Sequence, residues 1–379
     1  MSTSKIEQKT EQIDTSLDPA TLKQVLSSKL GTNIISADYQ ITQLHGGTLG
    51  DVRLVMGMAE SADHRRIPYE VAWKTQQKWE RPGDPDSWRR EYDFYRSGFG
   101  AAFADSLRAP ECYATKLHGD DQIEIWMEFV DGVSGSDLTI EALEQVAEEW
   151  GRFQGRLRRR LDPARDPDSH HPERLVLGDV LWLGNTGFME REYSQWTPDT
   201  EEYRYLYSSE CSLPEHLRRM LIAAQRESQT IFANIKRLPV VLCHRDFWIE
   251  NIFLSRGKLR LIDWDCVGWG FAGEDIASLI ADDTDVAYLD DFYRGLVPAY
   301  RRGLSSGLSG GLSDGGGGEG GLPEHPRIAP NESFFIPEMI IIKFGYRFLR
   351  KFMYSQSQSV KDQQITALQK IYEMQDNRC

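Results

Sequence analysis

The residue types best suited to chemistry lie together in the stretch 240–269, where polar side chains interrupt apolar runs. Five of them are spaced across its loops: His244, Arg245, Asp246, Asn251 and Asp263. One carboxylate can orient an attacking hydroxyl, and an amide with a second carboxylate can hold magnesium on a nucleotide. Phosphoryl transfer requires these groups, so the stretch predicts that class of reaction.

Short strands must position these side chains. Apolar residues 240–243 and 252–254 flank the first polar loop, and a turn at 255–258 leads into a further apolar run at 259–262. Strands joined in this way can lie side by side. We therefore expect the two polar loops, one after each strand edge, to meet in the folded chain.

Two polar residues of this region are better explained as supports than as reactive groups. We expect His244 to pack and hydrogen-bond so that it braces the loop, rather than to act as a base. Asp275 begins a predicted helix and is expected to brace the same loop from there.

Residues further upstream predict a glycine-bearing hairpin followed by a strand with a lysine. Two predicted strands, 35–44 and 52–56, flank a tip that contains Gly46, Gly47 and Gly50. The next strand, 69–74, ends at Lys74, with Ala72 and Lys74 on the face opposite Val71 and Trp73.

A helix after this strand carries a candidate partner for the lysine. The spacing of Trp88, Tyr92 and Tyr95 indicates a helix that places Glu91 on its inward edge. Glu80 is an alternative partner, although it lies beside a loop.

Composition excludes several other classes of protein. The chain has 379 residues, of which 27% are charged, and is therefore globular and long enough for two domains. Its formal net charge of −14 argues against a nucleic-acid binder, which would show a basic patch. An acidic balance would suit a cationic substrate.

The cysteines and apolar segments indicate a cytoplasmic protein. The five cysteines are scattered and form no CxxC pair, so we predict neither a disulfide framework nor a zinc site. The polar N-terminus predicts no signal peptide. The apolar stretch 334–349 is interrupted by charges and proline, so we predict no membrane span.

The pattern of elements predicts an α+β fold in three parts. Residues 1–34 form a tail and one helix, and residues 35–130 form a small, mostly β N-terminal lobe with one helix. Residues 131–379 form a larger, mainly helical C-terminal lobe. Within it, residues 303–321 contain 10 glycines and are predicted to be a disordered surface loop.

Four features follow one another in a fixed order: the glycine-tipped hairpin, the strand Lys74, the helix Glu91 and the Asp246/Asn251/Asp263 set. In this order the chain resembles the two-lobed protein-kinase-like fold, and most of all the aminoglycoside phosphotransferase and choline kinase family. The resemblance covers roughly residues 35–350. The spacing of His244, Arg245, Asp246 and Asn251 equals the H-R-D-x-x-x-x-N signature of kinases.

The resemblance implies a role for each matching side chain. Asp246 would orient the substrate hydroxyl and accept its proton, while Asn251 and Asp263 would hold magnesium ions on the phosphates of ATP. Lys74 would contact the α- and β-phosphates, with Glu91 fixing its ammonium group.

The resemblance also implies where the nucleotide lies. Gly46, Gly47 and Gly50 would cover the phosphates, although His45 stands where the first glycine of the kinase loop is expected. The adenine would meet the backbone of the segment that links the lobes, at residues Met127, Glu128 and Val130.

Departures from protein kinases favour a small acceptor. The metal loop reads Asp263-Trp264-Asp265, and Gly273 leads almost at once into a helix, which leaves no room for a long activation segment. Asp265 and Trp248 are candidates for the acceptor site, because a carboxylate and an aromatic ring can bind an amine or quaternary ammonium group.

Three interpretations follow for the function. The first is a kinase that phosphorylates a hydroxyl of a small, cationic molecule such as an aminoglycoside, choline or amino alcohol. The second is a catalytically inactive binding or regulatory module on the same fold. The third is a protein kinase, which the missing activation segment disfavours. The sequence leaves the oligomeric state open.

Overall fold

The first third of the chain forms a curled antiparallel sheet, and most of the remainder is helical. The computed structural model describes residues 17–44, 50–80, 86–103, 106–161, 199–282, 284–309 and 334–376. The strands in these residues are β1 (Ile34–Ala37), β2 (Gln40–Gln43), β3 (Asp51–Ser61), β4 (Arg66–Gln77), β5 (Leu107–Arg108), β6 (Cys112–His118), β7 (Gln122–Glu128), β8 (Val133–Ser134), β9 (Val240–Cys243), β10 (Ile252–Ser255), β11 (Lys258–Leu261) and β12 (Gly268–Phe271).

The described residues also contain α-helices. They are α1 (Pro19–Leu30), α2 (Arg90–Arg96), α3 (Ile140–Leu161), α4 (Glu201–Tyr207), α5 (Glu215–Arg226), α6 (Ser228–Ile235), α7 (Glu274–Ala281), α8 (Leu289–Ser309), α9 (Ile336–Tyr354) and α10 (Gln358–Asp376). None of the helices in the described residues combines the length and the apolar character that a membrane-crossing segment needs.

The large sheet runs in the order β1–β3–β4–β7–β6, with β2 also paired to β3. The predicted hairpin around the glycine-bearing tip is present, since Gln40 pairs with Met56 and Gln43 with Arg53. Two smaller sheets follow, β5–β11–β10–β8 and β12–β9. Because β5 pairs with β11, a strand that precedes residue 130 joins the sheet that carries the metal loop.

The central strand β4 is buried on both faces, and each face packs against a different helix. On one face Val71 and Trp73 lie in a core with Leu22, Val25 and Leu26 of α1. The indole of Trp73 stacks on that of Trp126 at 5.0 Å. On the other face Ala72 packs with Trp88, Tyr92, Ile125 and Met127. Lys74 therefore points toward α2, as the alternation along the strand predicts.

Glycines allow α3 and α8 to cross with their backbones in contact. A Cβ added at Gly303 would lie 1.9 Å from the carbonyl oxygen of Glu148, and one at Gly307 would lie 2.4 Å from that of Arg152. The fit is reciprocal, because a Cβ at Gly151 would lie 2.5 Å from the carbonyl oxygen of Tyr300. Any larger side chain at these positions would force the helices apart.

This packing corrects the prediction of a disordered loop over residues 303–321. Residues 303–309 are the last turns of α8, and the other residues of that range lie outside the described part of the chain. Glycine is a poor helix former in isolation, so local propensity favours a loop. Contact with α3 overrides that propensity, because only glycine lets the two helices approach so closely.

We expect Gly303→Ala to lower the free energy of unfolding by about 1–3 kcal/mol, since the added methyl group meets backbone that cannot move aside. Chemical denaturation would measure the loss. Gly100→Ala is a matched control, because a Cβ at Gly100 meets nothing within 4 Å. Equal stability of the two variants would contradict the close helix crossing.

Candidate active site

A single ammonium group joins the sheet, α2 and the metal loop. Lys74 Nζ lies 2.5 Å from Glu91 Oε2 and 2.7 Å from Asp263 Oδ1. The predicted contact between Lys74 and Glu91 is therefore present, and Glu80, the alternative partner, is exposed. The side chain of Asp263 is 34% exposed, so it borders an opening to solvent beside Lys74, called the cleft below, whereas that of Glu91 is only 2% exposed.

The charges of this group depend on one another. Burial alone would lower the pKa of Lys74, but Asp263 and Glu91 raise it well above its usual value, so the ammonium stays charged. The enclosed position of Asp263 opposes ionisation, yet Lys74 holds the pKa of Asp263 below its usual value. Burial raises the pKa of Glu91, and the negative charge of Asp263 adds to the rise, while Lys74 opposes it. Asp263 therefore faces Lys74 as an ionised carboxylate.

The aromatic residue after Asp263 anchors the metal loop on α2. Trp264 is buried, and its indole stacks on the ring of Phe94 at 4.6 Å. Its backbone N–H donates to Glu91 Oε1 at 3.3 Å, and its indole N–H donates to the carbonyl of Leu261 at 2.7 Å. Trp264 is a core residue that couples Glu91 to the metal loop.

Residues 244–251, called the catalytic loop below after the kinase signature that they resemble, hold Asp246 beside Asn251. The side-chain amide of Asn251 donates to Asp246 Oδ2 at 2.7 Å and to the Asp246 carbonyl at 2.9 Å. The Ile262 N–H donates to the Asn251 carbonyl at 3.1 Å, so the strand that leads to Asp263 is fixed to the same loop. Burial raises the pKa of Asp246, and the negative charge of Asp263 adds to the shift.

Asp275 and His244 brace this loop, as the sequence predicts. The Asp275 carboxylate accepts the backbone N–H groups of His244 at 2.9 Å and Arg245 at 2.8 Å, and the indole N–H of Trp150 at 2.9 Å. His244 Nε2 donates to the Ile262 carbonyl at 2.9 Å, which requires a proton on that nitrogen. Burial lowers the pKa of His244, so its ring is neutral and supports the loop through this hydrogen bond.

The backbone is strained at Asp263 and at Arg245, the residue before Asp246. Arg245 has φ of 69° and Asp263 has φ of 61°, both in the left-handed region that side chains disfavour. Such conformations persist only where surrounding contacts determine them. The hydrogen bonds to Asp275 and Lys74 provide those contacts. The backbone conformations set the directions in which the side chains of Asp246 and Asp263 point.

The structure describes some of the residues that are predicted to contact the nucleotide. A Cβ at Gly50 would lie 3.3 Å from Lys74 Cε, so this end of the hairpin tip lies against the lysine. Gly46 and Gly47 lie outside the described residues. Met127 is buried, and Glu128 and Val130 are half-buried at the end of β7. The Glu128 N–H donates to the Glu111 carbonyl at 2.8 Å, so this donor is already bonded within the protein.

The two candidate acceptor residues have different surroundings. Asp265 is buried, its carbonyl accepts from Arg90 at 3.3 Å, and its charge acts on Lys74. Trp248 is half-buried beside the 3₁₀ turn Ile249–Asn251.

Sequence reasoning did not find two cavities in the helical part of the chain, one of which adjoins residues 249 and 250. A cavity of about 870 Å³ is lined by Ile249 and Glu250, the start of α3 and the start of α8. Four carboxylates, one guanidinium and two aromatic rings border it: Glu144, Glu250, Asp285, Asp291, Arg294, Tyr288 and Phe292. A smaller cavity of about 350 Å³ shares Thr284 and Asp285 with the first and reaches α9 and α10. No local motif connects these residues, because they come from segments far apart in the chain.

The donors for a metal ion are few but fit magnesium. Within the described part of the chain, no three His, Cys, Asp or Glu side chains cluster in a way that could hold a metal ion. Magnesium in nucleotide sites is commonly held by one or two side chains together with phosphates and water. The ionised Asp263 and the amide oxygen of Asn251 meet that requirement, and they border the same cleft as Lys74.

The fold and this arrangement define a kinase-like phosphotransferase. A family model described as the phosphotransferase enzyme family matches residues 78–307, and the chain belongs to that family. The match includes Glu91, Asp246, Asn251 and Asp263, and it begins four residues after Lys74. The predicted membership is confirmed.

The likeness to one solved structure confirms the two-lobed α+β fold. A choline kinase from Cryptosporidium parvum Iowa II is 15% identical, with a TM-score of 0.50 over 89% of this chain and 90% of that one. A microcompartment-associated aminopropanol kinase is 13% identical, with a TM-score of 0.46 over 95% and 98% of the two chains. The aminoglycoside phosphotransferase APH(4)-Ia, as a thermostable mutant, is 12% identical, with a TM-score of 0.43 over 93% and 97%. No curated protein sequence gives a significant match.

We expect Glu91→Gln to weaken the binding of magnesium-ATP by about tenfold, because Lys74 loses a charge-assisted contact worth about 1.5–3 kcal/mol. Isothermal titration calorimetry would measure the dissociation constant. Glu80→Gln removes the same charge from an exposed position and should leave binding unchanged. Similar losses in the two variants would show that Glu91 does not hold Lys74 for the nucleotide.

Proposed function

We propose that the protein is an ATP-dependent kinase that transfers the γ-phosphate to a hydroxyl of a small molecule. One observation carries this proposal: Lys74 contacts Asp263, Asn251 contacts Asp246, and the two pairs are close enough for the charge of Asp263 to act on Asp246. They come from a strand of the large sheet and from two loops of the smaller sheets. Phosphoryl transfer is catalysed mostly by positioning and charge neutralisation, and these residues supply both.

Each residue has a distinct task in this proposal. Lys74 binds the α- and β-phosphates, and Glu91 keeps its ammonium in place. Asn251 and Asp263 hold magnesium, which neutralises charge on the phosphates when it is bound. Asp246 orients the acceptor hydroxyl and takes its proton, and its raised pKa makes the carboxylate a better base.

The nucleotide lies between the lobes of residues 35–130 and 131–379. Gly46, Gly47 and Gly50 cover its phosphates, and the backbone around Met127, Glu128 and Val130 meets its base. The free thiols of Cys112, Cys211, Cys243 and Cys266 support a reducing compartment, so we assign the protein to the cytoplasm.

The short connection after the metal loop supports a small acceptor. Trp264–Cys266 forms a 3₁₀ turn, β12 follows at once, and α7 begins at Glu274. No segment between them is long enough to seat a polypeptide, which disfavours a protein kinase.

The charge of the larger cavity supports a cationic acceptor. Its four carboxylates and the rings of Tyr288 and Phe292 suit an amine that also carries a hydroxyl. Glu250 lines the cavity and is four positions from Asp246 in the chain. This supports an acceptor site that adjoins the catalytic loop. Asp265 adds negative charge near the metal loop.

An inactive binding module is the second candidate, and the intact residue set disfavours it. All four residues that a working kinase needs are present, and the contacts that position them are formed.

Magnesium-ATP should stabilise the protein against thermal unfolding, and ATP without magnesium should do so much less. At a hundred times the dissociation constant the gain is about 2.7 kcal/mol. Asp263→Ala should abolish the magnesium-dependent part, whereas Asp120→Ala removes a charge from an exposed position and should retain it. A wild-type melting temperature that does not change when magnesium-ATP is added would refute the proposal.

A coupled ADP-release assay over aminoglycosides, choline, sugars and amino alcohols should identify at least one acceptor. Asp246→Asn should lower kcat by about 10²–10⁴-fold, because it removes the base. Its affinity for magnesium-ATP should largely survive. Loss of nucleotide binding in this variant would mean that Asp246 has a different role.

A further inference from the structure

Lys343 reaches the catalytic loop from the C-terminal helix α9. Its Nζ donates to the Arg245 carbonyl at 3.0 Å and to Ser278 Oγ, on α7, at 2.6 Å. It lies 98 residues from Arg245 in the chain and outside the segment 78–307 that matches the family model. A residue from the last part of the chain is therefore bonded to the peptide that immediately precedes Asp246.

The position of that peptide decides where Asp246 points. Arg245 adopts a φ of 69°, and its N–H is fixed by Asp275 Oδ1 at 2.8 Å. Its carbonyl, on the other side of the residue, is fixed by Lys343. A charged side chain thus holds each of the two peptide groups of a strained residue, and the second of them carries the N–H of Asp246 itself.

The surroundings of Lys343 connect this contact to α7 as well. Ser278 is fully buried, and its hydroxyl donates to the Glu274 carbonyl at 3.2 Å. Ser278 is one turn from Asp275 on the same helix, so Lys343 and Asp275 both tie the catalytic loop to α7. The positive charge of Lys343 also opposes the rise in the pKa of Asp246.

We propose that Lys343 is a positioning residue for phosphoryl transfer, which orients the Arg245–Asp246 peptide so that the Asp246 carboxylate meets the acceptor hydroxyl. This inference rests on the proposed function. It predicts that the last helices of the chain are part of the catalytic apparatus, beyond the segment that defines the family.

Three variants test the inference. Lys343→Met removes the ammonium and retains the length of the side chain, and Lys343→Arg retains a cationic donor. Lys258→Met, at an exposed turn, loses the same charge and serves as the control. Hydrogen exchange of the peptide spanning residues 244–248 reports on the loop without any substrate, and steady-state kinetics separates kcat from the KM for ATP.

In Lys343→Met we expect the rate of hydrogen exchange in this peptide to rise by about tenfold, because one charge-assisted hydrogen bond is lost. We also expect kcat to fall by about tenfold or more, with the KM for ATP changed less than about twofold. Lys343→Arg should restore much of both values, and Lys258→Met should match the wild type.

Three results would overturn the inference. One is exchange in residues 244–248 that does not change in Lys343→Met. Another is faster exchange throughout the helical lobe, which would make Lys343 a general structural residue. The third is a more mobile loop with an unchanged kcat. If the wild type phosphorylates no acceptor, the proposed function fails, but the exchange experiment still decides whether Lys343 fixes the loop.

Discussion

The burial of the Lys74 ammonium is the constraint on which the site depends. A charge removed from water is costly unless partners of opposite charge surround it, and removal of one partner of such a pair is strongly destabilising. Lys74 finds its partners in Glu91 of α2 and Asp263 of the metal loop. Three elements that are remote in sequence must therefore meet at one point, and the cleft is formed where they meet.

The second half of the site depends on backbone hydrogen bonds more than on charge. Asp275 accepts two consecutive backbone N–H groups of the catalytic loop, and His244 links that loop to the strand before Asp263. These contacts hold Arg245 and Asp263 in conformations that an isolated chain would rarely adopt. The backbone at Arg245 and Asp263 is therefore fixed by contacts within the protein, and such preorganisation is what the proposed catalysis by positioning requires.

Helix packing at a distance supports the same loop. Because glycines let α3 and α8 approach closely, Tyr300 of α8 reaches Gln154 of α3, with its hydroxyl donating to Gln154 Oε1 at 2.6 Å. The Gln154 amide donates to the Leu242 carbonyl at 2.7 Å, in the strand that leads to the catalytic loop. The glycines of the helix crossing thus contribute to the geometry of the site through two hydrogen bonds.

Much of the site was predictable from short stretches of sequence, because strand alternation, helix spacing and turn residues act over a few positions. They sufficed to place Asp246, Asn251 and Asp263 on neighbouring loops and Glu91 on the inner side of α2. They also misjudged residues 303–309, where weak helix propensity indicates a loop. Only the tertiary structure shows α3 packed there, the choice of Glu91 over Glu80, and the reach of Lys343 to Arg245. Contacts between residues 98 or 189 positions apart depend on how whole elements pack, and no local pattern encodes that packing.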